Sequence, residues 1–279
     1  MSAFSVTRGR SMEMNKFRLY GKAPFDVVVV HGGPGAGGEM SAVARELASG
    51  HGVLEPFQTA LSLDGQVEEL KNLIAANGNP PVFLIGFSWG AWLSFILTAR
   101  YPALVKKLIL VSSGAFEEKY TQSMHQTRMD RLTAPEREEL KQLSPMLEDP
   151  AITDKTACFK RFGALFSRAD ACDPLPDNTE IDFRPDIYAK VWPEGAELRR
   201  TGRLLEFGRQ IECPVTAIHG DYDPHPSDGV RIPLSSVVQD FNFIELKKCG
   251  HKPWAERHAR DEFFRILKAQ LITTPSSLC

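Results

Sequence analysis

The chain has 279 residues, of which 43% are hydrophobic and 24% charged, and its formal net charge is −2. This composition is typical of a globular protein with one large domain, or of a core with a smaller inserted one. The near-neutral charge gives no reason to expect nucleic acid or a membrane surface as a partner, and the apolar runs are far shorter than a membrane-spanning helix.

Strand and helix patterns alternate through residues 1–113, and the alternation resumes at Cys213. It predicts an α/β fold with a mostly parallel central sheet and helices on both faces. Ser62 can cap one of the helices, and the pair Asn77-Gly78 ends it. The expected strands cover residues 16–20, 26–30, 52–57, 81–85, 105–112, 213–219 and 243–246, and the expected helices cover 39–48, 63–77, 89–100 and 254–271.

Residues 114–208 interrupt this rhythm with helical patterns and frequent prolines, and no convincing strand pattern occurs among them. Thr133 and Glu136 form a capping box for one helix. Phenylalanines recur at helical spacing at positions 159, 162 and 166, where they suit a core as well as a pocket wall. We expect a helical cap over the site. The expected boundaries are residues 1–113 and 209–279 for the core and 114–208 for the cap.

The five residues Gly86-Phe87-Ser88-Trp89-Gly90 directly follow a buried strand pattern. A strand that ends in a sharp turn with serine at its apex is the sequence form of a nucleophile elbow. Glycines two positions before and two positions after the serine leave room for the turn. We therefore expect Ser88 to attack a carbonyl carbon, with the help of a base because a free hydroxyl is a poor nucleophile at neutral pH.

A candidate acid and a candidate base follow the serine along the chain, each just after an expected strand. His251, in a loop after Gly250, is the preferred base among the seven histidines. Asp221 and Asp223 share the loop after the strand 213–219, and Asp223 is the preferred acid, with Asp221 as the alternative. The acid would orient the imidazole and stabilise its charged form. The chain order serine, aspartate, histidine is typical of one fold class and differs from two protease orders.

A glycine-rich loop follows the strand at 26–30, with the sequence His31-Gly32-Gly33-Pro34-Gly35. Backbone N–H groups in such a loop can bind a developing oxyanion. Pro34 lacks an N–H, so we expect the N–H groups of Gly33 and Trp89 to form the oxyanion hole.

Residues 33–38 also fit the GxGxxG pattern of dinucleotide-binding proteins, and Glu55 lies at about the distance expected for a ribose-binding acid. Pro34 disfavours that interpretation, because it stiffens the loop and removes a donor that pyrophosphate would need. We therefore expect no cofactor.

The elbow, the acid and the histidine resemble those of the α/β-hydrolase superfamily. The resemblance covers nearly the whole chain outside the cap. More narrowly, HGGPG at 31–35 and GFSWG at 86–90 resemble the proline iminopeptidase branch, whose members remove N-terminal residues, preferably proline, from peptides. The resemblance implies Ser88 as nucleophile, Asp223 as acid and His251 as base. Residues 55–62 hold the place of the branch's usual Asp-Gln-Arg-Gly-x-Gly-x-Ser stretch and lack that motif.

We therefore expect a serine hydrolase that cleaves a small ester, amide or related acyl substrate through an acyl-enzyme on Ser88. An aminopeptidase of the proline iminopeptidase type, a non-peptidase carboxylesterase and a ligand-binding receptor on the same fold are the alternatives. The expected partner is a small molecule or a short peptide, and the sequence leaves the oligomeric state open.

The five cysteines are odd in number and share no metal-ligand spacing, so we expect free thiols and no metal site. Residues 1–17 contain no apolar segment after a basic start, so we expect no signal peptide and a cytoplasmic protein.

Overall fold

The structure is a computed structural model that describes residues 16–149, 151–152 and 154–272. The strands of the main sheet are β1 (Phe17–Tyr20), β2 (Phe25–Val30), β4 (Gly52–Pro56), β5 (Val82–Phe87), β6 (Val105–Val111), β8 (Val215–Gly220) and β9 (Phe241–Leu246). They lie in the order β1-β4-β2-β5-β6-β8-β9, in which β1 is antiparallel to β4 and the remaining neighbours are parallel. This confirms the predicted α/β fold.

Helices cover both faces of the sheet, because the central strands are apolar on both sides. In β2, Val28 and Val30 belong to one buried cluster, while Val27 and Val29 belong to another. The first cluster includes side chains of α2 (Leu63–Asn77), α3 (Trp89–Arg100) and α9 (Asp228–Val237), and the second includes side chains of α1 (Ser41–Leu47) and α10 (Arg260–Gln270). A period-two alternation places successive side chains on opposite faces, so both layers are built from the same strands.

The chain between β6 and β8 is mainly helical. It forms α4 (Thr121–Arg131), α5 (Ala134–Glu148), α6 (Thr156–Asp170), α7 (Pro185–Arg200) and the short α8 (Arg203–Glu206). Single 3₁₀ turns lie at Glu118–Tyr120 and Phe207–Gln210, and another precedes β6 at Pro102–Leu104. Phe162 and Phe166 pack on a small cluster of buried residues within this segment. At least these two phenylalanines therefore serve packing.

One element of the helical segment was missed by the sequence analysis. A two-residue strand, β7 (Asp182–Phe183), pairs antiparallel with β3 (Ala36–Gly37) in the glycine-rich loop. The expectation that the segment contains no strand is therefore wrong. A strand of two residues is too short to produce an alternating pattern, and its partner lies far away in the sequence.

The last helix is shorter than expected. It begins at Arg260 rather than at Trp254, and a 3₁₀ turn at Pro253–Ala255 takes the place of its first residues. His258 therefore lies before the helix, where its Nε2 is 3.1 Å from a carboxylate oxygen of Asp173. Within the described ranges, no helix has both the length and the apolar character needed to cross a membrane.

Candidate active site

Ser88 lies at the sharp turn between β5 and α3, in a backbone conformation with φ 52° and ψ −113° that L residues rarely adopt. The turn is closed tightly, because a Cβ on Gly86 would overlap the backbone of Gly90. The Ser88 N–H donates to the carbonyl oxygen of Val111 at 3.0 Å, which ties the apex to β6. The turn therefore has the form of the predicted elbow, with a strained serine held between two required glycines.

Three side chains from different loops meet at this turn. Nε2 of His251 is 3.1 Å from Oγ of Ser88, and Nδ1 of His251 is 2.7 Å from Oδ2 of Asp223. Strands β5, β8 and β9 end at the same edge of the sheet, with Gly220 level with Leu246, so the loops that follow them converge. The arrangement can pass a proton from the hydroxyl to the imidazole while the carboxylate orients the ring.

Of the two aspartates considered from the sequence, Asp223 is the one that contacts His251. Asp221 instead accepts a hydrogen bond from the backbone N–H of Cys249 at 3.3 Å, and its other oxygen is 3.9 Å from Nζ of Lys247. Asp221 therefore braces the loop that carries the histidine.

The charges in the site favour an ionised acid and a basic imidazole. Burial would by itself raise the pKa of Asp223, but the adjacent His251, His225 and His219 outweigh it and hold that pKa well below its usual value. Burial would by itself lower the pKa of His251, but the Asp223 carboxylate outweighs it, so the pKa of His251 is raised above 6.5.

The loop carrying His251 is anchored by residues that the sequence analysis did not single out. The backbone N–H of His251 donates to the carbonyl oxygen of Asp170, at the end of α6. The buried carboxylate of Glu256 accepts three backbone N–H groups, from Gly250 at 3.0 Å, Cys172 at 2.9 Å and Asp173 at 2.8 Å. These bonds join the histidine loop to the helical segment. Because they cross long distances in sequence, no local motif indicated them.

The glycine-rich loop after β2 lies directly against the elbow. A Cβ on Gly90 would overlap the carbonyl oxygen of His31, and one on Gly32 would be 2.7 Å from the ring of Phe87. Gly33 has a positive φ of 41°, and Trp89 is the first residue of α3, so its N–H has no partner within the helix. Both N–H groups thus belong to segments that meet beside Ser88, as an oxyanion hole would require.

The two features that fitted a dinucleotide site are engaged in other contacts. A Cβ on Gly35 would be 2.7 Å from the carbonyl oxygen of Arg184, so the helical segment packs on this loop. Glu55 is buried and accepts a hydrogen bond of 2.6 Å from the hydroxyl of Tyr20.

His225 is a fourth side chain at the site, and no sequence motif assigned it a role. Among the described residues, potential metal-ligand atoms of Asp223, His225 and His251 lie within 4.8 Å of one another. In each histidine, however, Nδ1 is hydrogen-bonded to the carboxylate at 2.7–2.8 Å. Hydrogen bonds between these three side chains therefore hold the group together. The sequence carried one weak signal, the position of His225 two residues after the acid.

A family model described as the alpha/beta hydrolase fold matches residues 27–251. The chain belongs to this family. A pimeloyl-acyl-carrier-protein methyl ester esterase from Chromobacterium violaceum is 27% identical over 93% of this chain and 99% of its own length. A proline iminopeptidase from Lactobacillus delbrueckii subsp. bulgaricus is 30% identical over 84% of this chain and 86% of its own length. The chain is therefore an α/β-hydrolase-fold protein with esterase and peptidase relatives.

Solved structures of low sequence identity share this fold. VinJ has a TM-score of 0.63 and 19% identity, covering 91% of this chain and 93% of VinJ. A protein described as a putative lipase from Acinetobacter baumannii has a TM-score of 0.59 and 16% identity, covering 94% of this chain and 91% of its own.

Proposed function

We propose that the protein is a serine hydrolase that cleaves an acyl substrate through an acyl-enzyme on Ser88. The observation that carries the proposal is the continuous contact from Oγ of Ser88 through His251 to Asp223, with distances of 3.1 Å and 2.7 Å. A receptor on the same fold has no need for a strained serine within reach of a base that is itself oriented by a buried carboxylate.

In the first half of the reaction, Oγ of Ser88 attacks the substrate carbonyl carbon as its proton passes to Nε2 of His251. The carbonyl oxygen becomes an oxyanion, which accepts hydrogen bonds from the N–H groups of Gly33 and Trp89. Asp223 stays ionised and stabilises the imidazolium. His251 then gives its proton to the leaving group, the bond to that group breaks, and the acyl-enzyme remains.

In the second half, a water molecule gives a proton to Nε2 of His251 as its oxygen attacks the acyl carbon. The tetrahedral intermediate collapses, the bond to Oγ of Ser88 breaks, and His251 returns the proton to that oxygen. The carboxylic acid product then leaves, and the free enzyme is restored.

The helical segment gives this site an aromatic flank. The rings of Tyr188, Trp192 and Trp92 form a continuous stack, with centroid separations of 5.9 Å and near-parallel planes. Trp192 is also 6.3 Å, centroid to centroid, from Trp89 beside the nucleophile. Trp92 and Trp89 are buried in the core, so an apolar acyl group has the partly exposed rings of Tyr188 and Trp192 to pack against. We therefore propose a carboxylic ester as the preferred substrate.

Three acidic residues of the segment are already paired within the protein, which supports an ester rather than a peptide with a free amine. Asp170 forms two hydrogen bonds of 2.6 Å with the guanidinium of Arg128. Glu118 pairs with Arg199 at 2.8 Å, and Glu194 accepts the N–H of Leu63 at 2.7 Å. A substrate ammonium would have to displace one of these partners. The proline iminopeptidase relative still supports an aminopeptidase as the second candidate.

A fluorophosphonate probe tests the proposed nucleophile. We expect covalent labelling of the wild-type protein at Ser88, and none of the Ser88→Ala variant. Ser49→Ala, at an exposed serine that bonds only locally, is the matched control and should label like the wild type. Labelling that persists in Ser88→Ala, or a wild-type protein that the probe does not modify, would refute the proposal.

A panel of chromogenic substrates tests the substrate class. The protein should hydrolyse p-nitrophenyl esters of short and medium acyl chains faster, in kcat/KM, than prolyl p-nitroanilide. The opposite ranking would favour the aminopeptidase, and in both cases Ser88→Ala should remove turnover.

A further inference from the structure

His225 and His251 divide the carboxylate of Asp223 between them. Oδ2 lies 2.7 Å from Nδ1 of His251, whereas Oδ1 lies 2.8 Å from Nδ1 of His225 and accepts the backbone N–H of His225 at 2.9 Å. The carboxylate is fully shielded from solvent. Both hydrogen bonds of Oδ1 therefore come from His225, which lies two residues after Asp223 in the sequence.

The proton positions follow from the charge of the acid. An ionised carboxylate can only accept, so Nδ1 must carry the proton in both histidines. The carbonyl oxygen of His225 in turn accepts a hydrogen bond of 2.8 Å from Nε2 of His219. His225 is therefore held through its ring, its N–H and its carbonyl oxygen, which makes it a rigid donor to Asp223.

The two imidazoles also touch each other. Their ring centroids are 4.5 Å apart and their planes differ by 26°, while Phe87 forms a second ring contact with His251 at 4.9 Å. A positive charge on one imidazole disfavours a positive charge on the other. Burial lowers the pKa of His225 to about 4, so His225 stays neutral over the range in which His251 gains its proton. Ionisable groups around the pair in the described part of the chain include Asp223, His219, Asp170 and Arg128.

We propose that His225 is a positioning residue that acts on His251 through Asp223. By donating to Oδ1, it fixes the carboxylate with Oδ2 directed at His251, and it withdraws part of the negative charge that would otherwise hold a proton on His251. This role rests on the serine hydrolase proposed above, where it keeps a larger share of His251 neutral and ready to accept the serine proton.

The pKa of His251 tests this role directly, by ¹⁵N NMR titration of the histidine side chains. His225→Phe keeps a ring against His251 but removes the donor to Oδ1, so we expect the pKa of His251 to rise by about 0.5–1 pH unit. His225→Asn restores an N–H near the former Nδ1 position and should bring the value back toward that of the wild type. His258→Asn, outside the site, is the control and should leave the pKa of His251 unchanged.

A purely structural role predicts a different result. His225→Phe would then lower thermal stability while the pKa of His251 stays at the wild-type value, and that outcome would overturn the inference. An equal shift in His225→Phe and His225→Asn would also overturn it. If His225→Phe does not fold, the wild-type protein decides the question. His225 must be neutral, with its proton on Nδ1, where His251 titrates, and a proton on Nε2 contradicts the inference.

This measurement does not depend on turnover. A shifted pKa in a protein that fluorophosphonate does not label would remove the proposed function and leave the coupling of the two histidines intact. Normal labelling of Ser88 with an unchanged pKa in His225→Phe would leave the function intact and remove the role of His225.

Discussion

Gly195 is a glycine at which the helical segment packs closely on the nucleophile elbow, and replacing it by alanine should disrupt this packing. Gly195 of α7 lies against the indole of Trp89, the residue that follows Ser88. A Cβ at this position would overlap Cζ3 of the indole and would lie 3.0 Å from Cη2. Trp89 is 3% exposed, and its Nε1 donates to Gln66 at 3.3 Å, so the ring has no free direction in which to turn.

The size of the effect follows from two opposing contributions. Replacing glycine by alanine inside a helix stabilises a protein by about 0.5–1 kcal/mol, because the unfolded chain loses freedom. Overpacking a rigid core costs about 1–3 kcal/mol. For Gly195→Ala these two ranges leave a net loss of up to about 2.5 kcal/mol in the free energy of unfolding, and we expect about 1 kcal/mol, the difference between their central values.

Gly163 provides a matched control, because it lies in α6, the helix that precedes α7 along the chain, and a Cβ there would have no atom within 4 Å. Gly163→Ala should therefore raise the free energy of unfolding by about 0.5–1 kcal/mol. Urea denaturation of both variants measures the difference, and the rate of fluorophosphonate labelling should fall only in Gly195→Ala. A Gly195→Ala protein as stable as Gly163→Ala would refute the argument that this close approach holds α7 on the elbow.

Further predictions concern the histidine loop. Replacing Glu256 by Gln removes the negative charge that accepts three backbone N–H groups, so the free energy of unfolding should fall by about 2–3 kcal/mol in urea denaturation. An unchanged urea midpoint would show that these bonds do not depend on the charge. Because His251 must be neutral to accept a proton and Asp223 raises its pKa, kcat/KM for a chromogenic ester should fall as the pH decreases through a midpoint above 6.5. A pH midpoint below 6.5 would contradict the conclusion that the Asp223 carboxylate outweighs burial in setting the pKa of His251.

Much of the fold could be predicted from local patterns. The helix expected at 89–100 coincides with α3, and the helix expected after Ser62 begins with the hydroxyl of Ser62 accepting the N–H of Gly65. Such features depend on residues a few positions apart, so their physical causes are contained in short segments. The start of α10 was misplaced because the stretch before it contributes Glu256 to contacts with the chain around residue 172, and those contacts override its helical pattern.

The sequence by itself determined the order of strands and helices, the elbow, and the choice of Ser88 and His251 as candidates, because each has a local signature just after a strand. The sequence also favoured Asp223 over Asp221, and in the structure Asp223 is the one that contacts His251. Only the tertiary structure brought His225 to the second carboxylate oxygen and joined β3 to β7. These outcomes depend on the direction of side chains in a folded loop, or on pairing between segments separated by more than a hundred residues. Neither cause leaves a periodic pattern in the chain.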